Sequence, residues 1–201
     1  MGIEQIRTFI AIELPGTLRQ ALADQQAQLR DLIGRTGDRS IRLQWVKPES
    51  IHVTLKFLGD VDASLIPKMQ ASLAGAVSSQ PRFSVEVSGL GAFPDAQAPR
   101  VLWVGMSGSG KELAGLAAQV DQALHELGFP LESRPFRPHL TVARIKERSR
   151  EVGRALTASG VMTKAVEIGS LAVSSVSVMK SELKPSGAVY TRLCEVSLKE
   201  P

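Results

Sequence analysis

The sequence predicts an α+β fold: two pseudo-symmetric lobes of antiparallel strands with flanking helices, and a cleft between the lobes. Three observations carry that prediction. His52-Val53-Thr54-Leu55 and His139-Leu140-Thr141-Val142 share one frame of histidine, apolar residue, threonine, apolar residue. The two copies, at positions 52 and 139, stand close to half of the 201-residue chain apart. Around each copy the same order of elements is legible: strand, helix, linker, His-Thr strand, helix, strand. The chain has only 3 histidines. Two of them in one frame is a coincidence expected in roughly one such chain in several thousand, so the false-positive risk of a short motif is small.

Thr8-Phe9-Ile10-Ala11-Ile12 reads as a strand closed by Pro15. A helix follows from Gly16 to about Arg35, with Leu18, Leu22, Leu29 and Ile33 on one face and Gly34 and Gly37 at its end. Leu43–Val46 and Ser50–Phe57 read as two strands joined by Lys47-Pro48-Glu49, after which Gly59-Asp60 turns the chain. A second helix is expected over Ala63–Ser78. Phe83–Val87 alternates as a half-buried strand. Gly89–Pro99, rich in Gly, Pro and Ala, reads as a loop, and Val101–Val104 as a buried strand. A third helix covers Lys111–Leu127, with Leu113, Leu116, Val120, Leu124 and Leu127 at helical spacing and Gly128 as its stop. His139–Ala143 is a strand and Glu147–Ser159 a short helix. Leu171–Met179 and Val189–Leu198 form a final pair of strands around the Pro185-Ser186-Gly187 turn. Without a flexible linker or low-complexity segment, 1–201 reads as a single bilobal domain with two interwoven lobes, one His-x-Thr motif in each.

With 43% hydrophobic and 22% charged residues the chain has the composition of a globular protein able to bury a core. No apolar run approaches the roughly 20 residues a membrane helix needs. Met1–Arg7 carries no signal-peptide pattern. The single cysteine, Cys194, excludes an internal disulfide framework. Its apolar flanks Leu193 and Val196 point to a buried structural thiol. These features predict a cytoplasmic protein, without a membrane partner and monomeric. The net charge of +4 is modest. Its distribution is more telling: Lys47 and Lys56 bracket the first motif, and Arg134, Arg137, Arg144, Lys146, Arg148 and Arg150 bracket the second. That arrangement predicts a positive cleft suited to an anionic substrate.

Residues two apart in a strand point to one face. His52 and Thr54 therefore project together, as do His139 and Thr141, while Val53 and Leu140 face the core. Two imidazoles and two hydroxyls around one cleft suit a phosphodiester. A neutral imidazole takes a proton from water, a protonated one gives a proton to the departing oxygen, and the hydroxyls hold non-bridging phosphate oxygens. Histidine fits because its ordinary pKa of about 6.5 keeps both forms available near neutrality. Each such proton transfer is typically worth 10²–10⁴-fold. No cofactor is required, and no closely spaced His/Cys/carboxylate cluster suggests a metal site. His125, on the third helix beside Glu126 and without a threonine partner, reads as a surface residue.

These strings resemble bacterial RNA 2′,3′-cyclic phosphodiesterases of the two-histidine phosphoesterase superfamily, also called 2′-5′ RNA ligases. The resemblance extends over Arg7–Ile12, Trp45–Gly59, Phe136–Arg144, Ser181-Glu182-Leu183 and Gly187–Tyr190. It implies a bilobal α+β fold and hydrolysis of a 2′,3′-cyclic phosphate at an RNA end to a 2′-phosphomonoester. It implies His52 as proton donor to the leaving 3′ oxygen and His139 as the acceptor that activates water. Thr54 and Thr141 would bind the phosphate, Arg144 would lie near it, and Phe57 would offer a face to the terminal base. Reverse, ATP-independent 2′-5′ ligation follows from microscopic reversibility. The ends of tRNA halves, other cleaved RNA ends and small cyclic nucleotides are all open as substrates. Phe57 and Arg144 pose a parity question. Each lies five residues after its histidine, which in a flat strand points away from the cleft. Either the strand ends or bulges before them, or they belong to the core.

Two alternatives compete. Gly105-Met106-Ser107-Gly108-Ser109-Gly110-Lys111 follows a strand and precedes a helix, as in a P-loop nucleotide-binding NTPase. Glu112, however, stands where that pattern needs Ser or Thr, and no repeated βαβ order surrounds it. The other alternative, a non-catalytic RNA-binding module, would not require two imidazoles.

Overall fold

The computed structural model describes residues 4–35, 41, 43–108, 110–163, 166–185 and 187–200. Gly37, Ser109 and Ser186, singled out above as loop or turn residues, lie outside this set. A continuous buried run, Thr8–Ile12, lies within strand β1, Gln5–Glu13. Helix α1, Gly16–Gly34, starts after Pro15 and buries Leu18, Leu22, Leu29 and Ile33, together with Gln25 and Gln26. Strand β2 is Leu43–Trp45 and strand β3 is His52–Asp62. Helix α2, Ile66–Val77, follows and buries Met69, Leu73 and Val77. Strands β4, Phe83–Phe93, and β5, Val101–Gly108, lead to helix α3, Gly110–His125. Gly128, at φ 94°, lets the chain turn out of that helix as expected. Strand β6 is His139–Ile145 and helix α4 is Ser149–Ala158. Strands β7, Glu167–Val173, β8, Ser175–Lys184, and β9, Gly187–Ser197, complete the chain.

The fold is α+β, as predicted, with two antiparallel sheets. One has the order β3-β1-β8-β9 and the other β2-β6-β5-β4-β7. The two halves exchange elements. Strand β4 of the first half sits in the second sheet, while β8 and β9 return to the first. Helix α1 leaves β1 yet packs on β7 and α4; α3 leaves β5 yet packs on β3 and α2. One apolar cluster backs both sheets, drawing Ile10, Val53 and Val178 from the first and Leu102, Leu140 and Val173 from the second.

Several expectations are corrected. Gly59-Asp60 is no turn: β3 runs on to Asp62, and Gly59 sits at φ 73° where the register with β1 slips. Gly89 likewise does not open a loop. It is the unmatched residue of a bulge in β4, at φ 75°, and the strand continues to Phe93. Leu171–Met179 is not one strand. It breaks at Ser174 into β7 and β8, which belong to different sheets. The segments flanking Lys47-Pro48-Glu49 are also divided between the sheets. The P-loop alternative loses its loop, because Gly105, Met106, Ser107 and Gly108 pair in the β4–β5 ladder opposite Ser88, Val87, Glu86 and Val85. Backbone groups committed to a ladder cannot cradle a phosphate.

Candidate active site

Strands β3 and β6 carry the two motifs on separate sheets and touch each other where the sheets meet. The buried residues Val53 and Leu140 pin each motif to the core, and the flanking histidine and threonine turn the other way. Between the sheets lies a cleft of about 680 Å³, lined among others by His52, Thr54, Phe57, His139, Thr141 and Arg144. All six sequence-predicted site residues are thus brought to one place.

The parity question is answered by two matched bulges. In the first sheet Ala11 faces Thr54 but the next residue back, Ile10, faces Lys56, so Leu55 has no partner. In the second, Trp103 faces Thr141 and Leu102 faces Ala143, so Val142 has none. Each bulge adds one residue between the threonine and the fifth position and restores its orientation to the cleft. Phe57 is accordingly 48% exposed and Arg144 is exposed, which removes the core reading for both.

The imidazoles are oriented by one device used twice. His52 Nδ1–H donates to Ser50 O at 2.9 Å, and His139 Nδ1–H donates to Arg137 O at 2.7 Å. With Nδ1 committed to a carbonyl two residues back, Nε2 is the ring nitrogen left for proton transfer. Their surroundings differ. His52 stacks on Phe9 at 4.7 Å between centroids and meets Tyr190 edge-on at 5.1 Å. His139 meets Phe93 edge-on at 5.1 Å. Burial pushes the pKa of His52 below its ordinary value; the Ser50 carbonyl opposes this, and the nearby Arg144 and His139 add to it.

Arg7, Lys47, Arg144, Lys146 and Lys184 line the cleft, and among the described residues no carboxylate does. That makes the cleft an anion site. Lys56 is a correction: it is 4% exposed, pairs with Asp121 on α3 and donates to Pro130 O at 2.7 Å, on the face away from the cleft. Arg134, Arg137, Arg148 and Arg150 also lie outside the lining. His125 is exposed as expected, its Nδ1–H donating to Phe129 O at 3.0 Å. Cys194 is half-buried in β9 rather than fully buried. Among the described residues no group of three His, Cys, Asp or Glu is placed to hold a metal ion, and no helix is long and apolar enough to cross a membrane.

Sequence reasoning gave no site role to Arg7, Ser181, Lys184 or Tyr190, all of which line the cleft. The signal for Arg7 was available, since it stands two residues before Phe9 on β1. Its guanidinium lies 4.8 Å from the centre of the Phe57 ring. Tyr190 comes from the far end of the chain, and only the β8–β9 pairing brings it to His52.

A family model described as LigT-like phosphoesterase matches residues 12–103 and again residues 104–190, one His-x-Thr motif falling in each match. The chain belongs to the LigT-like phosphoesterase family. An RNA 2′,3′-cyclic phosphodiesterase of Aeropyrum pernix is 38% identical over 173 residues, 85% of this chain and 93% of the relative. One from Archaeoglobus fulgidus is 32% identical over 188 residues, 94% of this chain and 98% of the relative. Among solved structures, TT0787 of Thermus thermophilus superposes with a TM-score of 0.75 at 30% identity, over 96% of this chain and 98% of that one. LigT of E. coli complexed with 3′-AMP shares the fold, with a TM-score of 0.75 over 97% of this chain and 99% of that one, at 24% identity.

Proposed function

We propose that this chain hydrolyses RNA 2′,3′-cyclic phosphate ends to 2′-phosphomonoesters by acid–base catalysis between two histidines, and that residues 1–201 act as one bilobal domain. The observation that carries the reading is the pairing of two identically oriented imidazoles in a cationic cleft. The family membership and the relatives named RNA 2′,3′-cyclic phosphodiesterase support it. His139 Nε2 accepts a proton from water as its oxygen attacks phosphorus. The P–O3′ bond breaks, and His52 Nε2 delivers a proton to the 3′ oxygen, leaving a 2′-phosphate and a 3′-hydroxyl. Thr54 and Thr141 donate hydrogen bonds to the non-bridging oxygens, and Arg144 balances their charge. The donor role needs a proton on His52, which burial and Arg144 by themselves disfavour. The substrate's negative charge beside Arg144 offsets that repulsion, so substrate binding favours the protonated donor. Phe57 offers its exposed face to the terminal base. Joining a 5′-hydroxyl to a cyclic phosphate as a 2′-5′ linkage puts that hydroxyl in the place of water: His139 Nε2 takes its proton, the P–O3′ bond breaks, and His52 Nε2 protonates the 3′ oxygen.

The test is conversion of an RNA oligonucleotide ending in a 2′,3′-cyclic phosphate, in excess chelator and without nucleotide. Turnover to the 2′-phosphate is expected, with loss in both His52→Ala and His139→Ala. Turnover that survives both changes, or that requires Mg²⁺ or ATP, would overturn the assignment.

A further inference from the structure

We propose that two buried polar braces, Gln26 behind β6 and the Lys56–Asp121 pair behind β3, are positioning residues that hold the bulges turning Arg144 and Phe57 into the cleft. This rests on the cleft being the site described above. Gln26 lies on the apolar face of α1, 1% exposed. Its amide, with two N–H donors, gives one hydrogen bond to Val46 O at 2.7 Å and one to Val142 O at 2.8 Å. Val142 is the unmatched residue of the β6 bulge, and its carbonyl also accepts from Val46 N at 3.0 Å. The bulge leaves Val142 without a partner in β5, and on its other side the carbonyl takes two donors, the Val46 N–H and the Gln26 amide, which ties the bulge to the Val46 carbonyl. Two residues further on, Arg144 faces the cleft.

The other half uses the same plan with different chemistry. Lys56 immediately follows the bulged Leu55. Its ammonium is drawn to the back face by Asp121 and Pro130 O, which sends the next side chain, Phe57, to the front. Asp121 also accepts from Glu132 N at 3.1 Å. Each brace stands on the helix that crosses from the other half, and each ties one motif's bulge to the segment leading into the other motif: Val46 precedes His52, and Pro130 and Glu132 precede His139. An apolar side chain would pack the Gln26 site as well but would take this donor from Val46 O, leave Val142 O with Val46 N alone, and untie the two carbonyls. The amide is explained by the backbone it holds.

The test is a set of double-mutant cycles on kcat/KM for the cyclic-phosphate oligonucleotide, with melting temperature measured for every variant. Gln26→Met is expected to lower kcat/KM about tenfold on its own and in a Phe57→Ala background, but less than about threefold in an Arg144→Ala background. Asp121→Asn is expected to show the opposite pattern, coupled to Phe57→Ala and additive with Arg144→Ala. Equal losses in every background would mean a general loss of stability and would overturn the proposal, as would undiminished kcat/KM in a folded Gln26→Met. If Gln26→Met does not fold, Gln26→Asn, which keeps the amide on a shorter arm, is read in the same cycle. Binding of inorganic phosphate, followed by calorimetry, reads the aim of Arg144 without turnover. Weakening of about fivefold or more in the Gln26 variant is expected, and unchanged binding overturns the proposal. An inactive wild-type protein would instead count against the proposed function, and the phosphate measurement would still decide the brace.

Discussion

Strands β3 and β6 are two versions of one device. Each carries histidine and threonine on the cleft face, an apolar residue between them in the core, a bulge one residue after the threonine, and an imidazole held by a carbonyl two residues back. The difference lies at the fifth position. The first strand presents an aromatic ring, Phe57, beside the Arg7 guanidinium, and the second presents the guanidinium of Arg144. In the proposed reaction, shared geometry serves what is needed twice, a proton carrier and a hydroxyl donor. Divergence supplies what it needs once, a face for a base and a charge for a phosphate. Under that proposal the two strands are matched as catalysts and unlike as binding surfaces.

The sharpest test of the matched part is to remove one histidine at a time. His52→Ala and His139→Ala should each lower kcat about 10²–10⁴-fold, measured by product release from the cyclic-phosphate oligonucleotide. The double variant should fall little below the worse single one, because the two act as a unit. Unequal positions are probed next. Arg144→Ala removes a charge-assisted contact to phosphate and should cost about 10–100-fold in kcat/KM whatever the terminal base. Phe57→Ala should raise KM by about tenfold, with a size that depends on the base, because stacking is worth roughly 1–3 kcal/mol per base. A Phe57→Ala loss independent of the base would mean that the ring only fills space.

Stability tests separate the shared frame from the chemistry. Leu140 is fully buried under the second motif, so Leu140→Ala should cost about 2–5 kcal/mol in urea unfolding. The smallest effect concerns pH. Because the folded-state pKa of His52 lies below its ordinary value, the unfolded chain binds more protons as pH falls below about 6.5. This histidine's contribution to stability is therefore lost on acidification. Thermal melts at about pH 7.5 and 5.5 should show a shallower pH dependence for His52→Gln than for wild type. An unchanged or steeper dependence would show that burial of His52 does not carry that sign.

Much of this was legible in the chain. The repeated frame gave the two histidines and threonines directly, and the spacing of Leu18, Leu22, Leu29 and Ile33 gave the buried face of α1. What could not be read was anything set by pairing across the chain. Leu55-Lys56 and Val142-Ala143 break the alternation in both motif strands, yet a charged Lys56 looked like part of the cleft because Asp121 is far away in sequence. Gly59 and Gly89 carried the residue type of turns and proved to be bulge positions inside long strands. Gln26 left a signal that was overlooked, a polar residue on the same helical face as Leu22 and Leu29. Ser174 parts two strands without any Gly or Pro, so the division between sheets had no local mark.

The exchange of elements between halves bears on how the chain is made. Strand β1 emerges early, and its inner edge is filled only by β8, with Thr8 coming to lie beside Lys180. Helix α1 must wait in the same way for β7, its platform near the other end. A ribosome therefore releases the first motif long before either wall of the cleft has its final neighbours. Contacts of such sequence separation close slowly and keep strand edges open meanwhile. The arrangement proposed to let each half steady the other's bulge also ties completion of the site to strands well over a hundred residues further along the chain.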